Sequence, residues 1–251
     1  LKEIPMSLLL CLLLAPAADE APVEPGPTYP KTTAADRVRS INNLKQIGLA
    51  FHNFHDAMGA MPAAAAYGDA KKPLLSWRVA LLPYLEEGDL YKEFKLDEAW
   101  DSPHNKKLIG KMPKVYAPPA DAKSVKPGHT YYQVFTGANA LFNPAAAGGG
   151  KFRTGPRLTT IPDGTTYTIL AVEAGDPVPW TKPDDIVYDA KKPVPRLGGL
   201  FKEAFHVAMA DGAVRKVGRK VKEATLRALI TPNGGERIDW EKDVPGPDKG
   251  K

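Results

Sequence analysis

Ser40–Pro62 reads SINNLKQIGLAFHNFHDAMGAMP, and the spacing of its apolar residues decides how the rest of the chain is read. With the preceding turn included, Val38, Ile41, Leu44, Ile47, Phe51, Phe54 and Met58 recur three and four residues apart. That period keeps them on one side of an α-helix, so the stretch predicts a long amphipathic helix with a single apolar stripe. Arg37, Asn42, Lys45, Gln46 and Asn53 fall largely off it. Thr32 or Thr33 is placed to cap the start, while Gly59 and Pro62 end the helix.

Beyond the helix the pattern shortens. SWRVALLPYL, from Ser76, predicts a strand or a short helix turning at Pro83, with a helical turn over 86–94. Trp100-Asp101-Ser102-Pro103 predicts a brief helix over Asn105–Ile109, because Asp or Ser caps and Pro in the first turn favour one. Val115–Tyr116, Thr130–Thr136 and Thr166–Glu173 are rich in β-branched and aromatic residues and predict strands. Pro162-Asp163-Gly164 predicts a turn. Phe205–Met209 and Ala213–Val217 flank Asp211-Gly212 as a hairpin, and Lys222–Ile230 predicts a short helix. Ala145–Gly150 is expected to be loop. A helix first and strands later point to an α+β domain: a long N-terminal amphipathic helix packed on an antiparallel sheet, with loop-rich insertions.

Upstream, Lys2 precedes the apolar run Leu8–Leu14, and Ala15-Pro16-Ala17 has the small-x-small form of a cleavage site. Residues 1–18 are therefore expected to be a secretory signal peptide, too short for a stable membrane span. Cys11, the single cysteine, falls inside it. Residues 19–33, with Pro22, Pro25, Pro27 and Pro30, predict an extended linker. The domain is then expected over 34–242, followed by a flexible tail over 243–251.

Composition narrows the function classes. At 43% hydrophobic, the 251-residue chain can build a real core. The net charge of +5 is modest, and the lysines are scattered. Only RKVGRKVK, Arg215–Lys222, concentrates basic residues, without the aromatic platforms of a nucleic-acid surface, so no nucleic-acid partner is expected.

In these motifs the chain resembles the DUF1559 family of planctomycete envelope proteins of unknown function, themselves similar to type IV pilins and type II secretion pseudopilins. The resemblance is carried by NNLKQIGLAFHNFHDAMGAMP (Asn42–Pro62), SWRVALLPYLEEGDLY (Ser76–Tyr91) and WDSPHN (Trp100–Asn105). It continues through IPDGTTYTILAVEA (Ile161–Ala174), VPWTKPDDI (Val178–Ile186), DGAVRKV (Asp211–Val217) and LRALITPNGGE (Leu226–Glu236). It implies a pseudopilin-like fold and an exported, periplasmic or extracellular location, with membrane association as a variant. It supplies no catalytic residues. Two departures stand out: the apolar run is short and cut off by the proline-rich linker, and Ser40 and Ala117-Pro118 occupy places where relatives often carry cysteine. Losing both cysteines together is what is expected if they pair in relatives.

Candidate sites follow from residue chemistry. His52 and His55 share a helix face at a spacing that suits a metal, although the fuller HExxH pattern is absent; the competing reading is packing beside the stripe. Trp180–Asp185, WTKPDD, is a polar, proline-flanked loop whose Asp184 and Asp185 could offer oxygen ligands to calcium, a ligand that the pilin resemblance also allows. Trp180 is expected to be an exposed contact for a sugar or a protein. No other cofactor is indicated. Asp163, Glu173 and Asp211 are the carboxylates on which a hydrolase would depend, although Asp163 and Asp211 precede Gly and read as turn supports. The leading expectation is a non-enzymatic exported domain engaged in envelope structure or protein contacts. The alternative is a periplasmic carbohydrate- or calcium-dependent binding module, and a carboxylate hydrolase ranks third.

Overall fold

The computed structural model describes residues 29–68, 72–119, 125–146, 154–244 and 246. The expected signal segment 1–18, most of the linker, the end of the Ala145–Gly150 loop and most of the tail lie outside them.

Helix α1 runs over Ala34–Met58. A reciprocal capping box starts it: Thr33 Oγ1 accepts from the Asp36 amide (3.2 Å), and the Asp36 carboxylate accepts from the Thr33 amide (2.8 Å). Gly59 ends it in the left-handed conformation (φ 74°), its amide donating to the His55 carbonyl. Leu44, Ile47, Phe51 and Phe54 are buried as the stripe predicts, but Val38 and Met58 are more than half exposed. Rotation explains Val38: at 100° per residue it lies about 180° around the helix from Ile47, on the outward side. Length explains Met58, since a 25-residue helix spans about 37 Å, against about 20 Å for the six-residue strand beneath it.

That strand, β7 (Ala204–Met209), is central in a four-stranded antiparallel sheet. The order is β3 (His129–Gln133), β5 (Ile169–Pro179), β7, β8 (Val214–Gly218). β7 and β8 form the expected hairpin: the Asp211 carboxylate accepts from the Ala213 amide, and Gly212 takes φ 84°. Gly48 of α1 lies against this turn, with Gly212 Cα 3.8 Å from where a Cβ would sit, so a small residue suits the crossing. One sheet face, with Ala171 and Ala208, joins Leu44, Ile47 and Phe51 in one core. The other face, with Val172, Phe205, Val207 and Met209, packs on Leu229 and Ile230 of α4 (Glu223–Ile230). β7 is buried along its whole length, as a strand covered on both faces should be. The α+β expectation holds: a long helix, an antiparallel sheet and a second, short helix.

Between α1 and β3 comes the loop-rich insertion. A short hairpin, β1 (Ala65–Tyr67) and β2 (Pro73–Ser76), leads into α2 (Trp77–Ala80) and α3 (Gly88–Glu93). Residues 76–85 are thus a strand end followed by helical turns. Asn105–Lys111 is a 3-10 helix.

Two strand expectations are corrected. Lys114–Tyr116 is a 3-10 turn, held between prolines, with the Tyr116 hydroxyl donating to the Arg78 carbonyl (3.0 Å). Thr130–Thr136 is broken at Val134, whose amide donates to the Asp185 carboxylate instead of a strand partner. The remainder, β4 (Phe135–Thr136), pairs in parallel with β6 (Ile186–Val187). The strand expected over Thr166–Glu173 starts later and runs to Pro179.

Candidate functional site

The WTKPDD loop carries the most specific sequence expectation, and the structure turns it inward. Trp180 has no solvent exposure; its Nε1 donates to the Ile109 carbonyl (2.9 Å) and its ring stacks on Tyr116, centroids 5.9 Å apart. The expected exposed contact is therefore a core residue. The physical reason is backbone anchoring on both sides: the Trp180 amide donates to Gly128, and the Thr181 carbonyl accepts from Ser76. Polar neighbours in sequence do not lift a loop off the core when its backbone is bonded on either side.

Asp184 and Asp185 do not converge. Asp184 is about half exposed and paired with Lys182 (2.7 Å). Asp185 is buried and its Oδ1 accepts from Arg78 Nη2 (2.9 Å), Trp77 Nε1 (3.1 Å) and the Val134 amide (3.0 Å). Arg78 is also wholly buried: its Nε and Nη2 donate to the Tyr132 carbonyl, its Nη1 to Ser76 Oγ, and its guanidinium lies 4.6 Å from the Trp77 ring. Burial pushes the Asp185 carboxyl up, while the Arg78 guanidinium pulls it down. Among the described residues, no group of three or more His, Cys, Asp or Glu side chains is arranged to hold a metal ion. The Asp pair therefore acts as a strut and a surface ion pair.

His52 and His55 remain on one helix but face different neighbours. His55 Nε2 accepts from the Leu158 amide (3.4 Å), and its Nδ1 lies 3.7 Å from the Asp56 carboxylate. His52 packs beside Gly212, and its Nε2 is buried without a partner. His52 thus lies at the seam between α1 and the β7–β8 turn, while His55 faces the Leu158 segment.

A second buried polar cluster was hidden in the sequence. Glu173, on β5, is fully buried beneath α1. Its Oε1 accepts a short hydrogen bond from Ser40 Oγ and lies 3.0 Å from His206 Nδ1, while Oε2 accepts from the His206 amide (2.8 Å). Tyr132 OH lies 2.8 Å from Ser40 Oγ and accepts from Asn43 Nδ2 (3.2 Å). Burial pushes the Tyr132 phenol up, and the Glu173 charge adds to it. Serine, histidine and a carboxylate meet here, but the serine hydroxyl bonds the carboxylate directly and not the imidazole, so the order is not that of a Ser–His–carboxylate triad. Glu173, Asp163 and Asp211 lie in three separate places: this cluster, the 162–164 turn and the β7–β8 turn.

The RKVGRKVK run also folds onto the protein in part. The Arg215 guanidinium sits 4.1 Å from the Trp240 ring, and Arg219 donates to the carbonyls of Leu197, Gly198, Phe201 and Lys202.

An open cleft lies elsewhere, at an unanticipated junction. A cleft of about 620 Å3 is formed by the Pro162–Tyr167 turn and the Gly235–Asp239 segment. Asp163 ties its walls together: its amide donates to the Pro232 carbonyl (3.1 Å), and its two carboxylate oxygens accept from the amides of Gly234 and Gly235 (2.7 and 2.9 Å). Asp163 does support a turn, but one about seventy residues away. Local reading of PDG and PNGGE identifies two turns and not their meeting.

Residues 33–195 match the model of the family described as a protein of unknown function (DUF1559). The chain belongs to the DUF1559 family. No curated protein and no solved structure matches it. The matched region of this DUF1559 chain contains the whole Arg78–Asp185 strut and the Ser40–Glu173 contact, but stops before His206 and one wall of the cleft.

Proposed function

We propose that this DUF1559 domain is an exported, envelope-associated element that works through structure and protein contact and performs no chemistry of its own. One observation carries the reading: the side chains best suited to catalysis or ligation are engaged in holding α1 and the insertion to the sheet. Arg78, Asp185, Glu173, His206 and Trp180 are nearly or wholly without solvent exposure. The outward face of α1 is the natural contact surface. Val38 and Leu49, 56% and 60% exposed, are eleven residues apart and so about 20° apart around the helix. The export half of the reading is supported by the Lys2, Leu8–Leu14 and Ala15-Pro16-Ala17 segment. Among the described residues no helix is long and apolar enough to cross a membrane.

Cell fractionation with mass spectrometry of the native N-terminus tests export. A product trimmed near Ala17 in the exported fraction is expected, and an untrimmed cytoplasmic chain overturns it. A photo-crosslinking residue at Leu49 tests contact. Discrete envelope adducts are expected there and not at Lys106 on the exposed 3-10 helix; identical labelling at both positions overturns the contact surface.

A further inference from the structure

We propose that the cleft between Pro162–Tyr167 and Gly235–Asp239 binds a neutral pyranose unit of a surface glycan. The proposal is separate from the structural role above, and either can fail alone.

The walls are preformed. Three hydrogen bonds through Asp163 fix one segment against the other, and Gly235 adopts φ 78° at the bend. The far end is held as well: the Asp239 amide donates to the Asp243 carboxylate (2.8 Å), and Trp240 packs under Arg215. A site whose loops are already ordered loses less entropy on binding.

The lining has the two chemistries that a sugar needs. Tyr167 and Ile238 belong to the core beneath the sheet, and with Pro162 they give an apolar wall for the C–H face of a ring. Glu236 and Arg237 stand exposed at the rim. A carboxylate accepts from hydroxyls and a guanidinium donates to them, so adjacent ring hydroxyls satisfy both at once. The volume suits one or two sugar units and falls within the usual range of small-ligand sites.

Charge argues against other ligands. Asp163, Glu236 and Asp239 outnumber Arg237, so a phosphate or a polyanion meets net repulsion. A zwitterionic amino acid would pair its charges with Glu236 and Arg237, but pairs this exposed to water contribute little. Asp239 is already occupied, accepting from the amides of Glu241 and Lys242. The same loop also lends Pro232 and Asn233 to a second cleft of about 390 Å3 with Asn143, Arg157 and Thr160, which gives a longer glycan a place to continue.

The test is an amide-resolved NMR titration of the full chain with chitotriose, cellotriose, maltotriose and mannotriose, with glycine and inorganic phosphate as competitors. At least one trisaccharide should shift the amides of Asp163, Tyr167 and Gly234–Asp239 saturably. Glu236→Ala and Arg237→Ala, both at exposed positions, should each weaken binding by tenfold or more without altering the rest of the spectrum. No shifts at about 10 mM of any of the four, where even a millimolar site is filled, overturns the proposal. Shifts confined to other residues, or saturable binding of glycine or phosphate alone, overturn it equally.

Discussion

Arg78 and Asp185 meet at 2.9 Å inside the core, one from α2 and the other from the residue just before β6, with 0% and 3% of their side chains exposed. A buried ion pair does not by itself argue for high stability, since desolvation offsets most of the attraction. Its completeness matters more: the guanidinium also reaches Tyr132 and Ser76, and the carboxylate also takes the Trp77 indole and the Val134 amide.

Removing one partner should therefore be far worse than removing both. Arg78→Met is expected to cost about 3–5 kcal/mol, because it strands a buried carboxylate. Adding Asp185→Leu should recover part of that loss. Urea unfolding of the two variants checks it; a single-variant loss below about 1 kcal/mol contradicts the strut.

Ser40→Ala removes one donor from the buried Glu173 carboxylate and leaves Tyr132 with one partner fewer. A loss of about 1–3 kcal/mol is expected, the cost of an under-satisfied buried acceptor. Ser40→Thr, which keeps the hydroxyl, should cost less by the same denaturation assay. Equal losses for the two would make the site one of shape alone.

Leu44→Ala and Phe51→Ala should each cost about 2–5 kcal/mol by opening a cavity under α1. Val38→Ala, on the outward face of α1, should stay within about 0.5 kcal/mol of the parent. The contrast between the three melting curves measures where the stripe stops working.

The α1 cap gives a pH dependence with a definite sign. Hydrogen bonds from the Thr33 amide and hydroxyl hold the Asp36 carboxyl below its ordinary value. A carboxyl depressed in the folded state stabilises fully above its unfolded value, about 3.9, and loses that contribution as pH falls through its lower folded value. Asp36→Asn should thus cost stability at pH 7, and the difference from the parent should shrink below about pH 4. Thr33→Ala is expected to cost about 1 kcal/mol at neutral pH. Denaturant titrations at the two pH values decide both.

Local elements were legible because their causes are local. The stripe, the Thr33 cap, the Asp-Gly hairpin and the short helix after Lys222 all depend on residues within a few positions of each other. What escaped depends on distant pairs. Val134 breaks its strand because of a carboxylate 51 positions on, and Tyr116 turns into the core to meet the Arg78 carbonyl, 38 positions back. Trp180 looked exposed because its neighbours are polar, while its anchors, Ile109 and Tyr116, are far away in the chain. The cleft escaped for the same reason, since the two turns that Asp163 ties together are about seventy residues apart.

The break at Val134 has one more consequence. β3 is an outer strand of its sheet. On it, the Tyr132 amide is taken by Thr130 Oγ1 and its carbonyl by the Arg78 guanidinium, and next along the chain the Val134 amide is taken by Asp185. A sheet margin normally offers bare backbone groups to any passing strand. Here the end of that margin at Tyr132–Val134 is closed by side chains, and a second molecule pairing its own strand there would have to dislodge a buried arginine first.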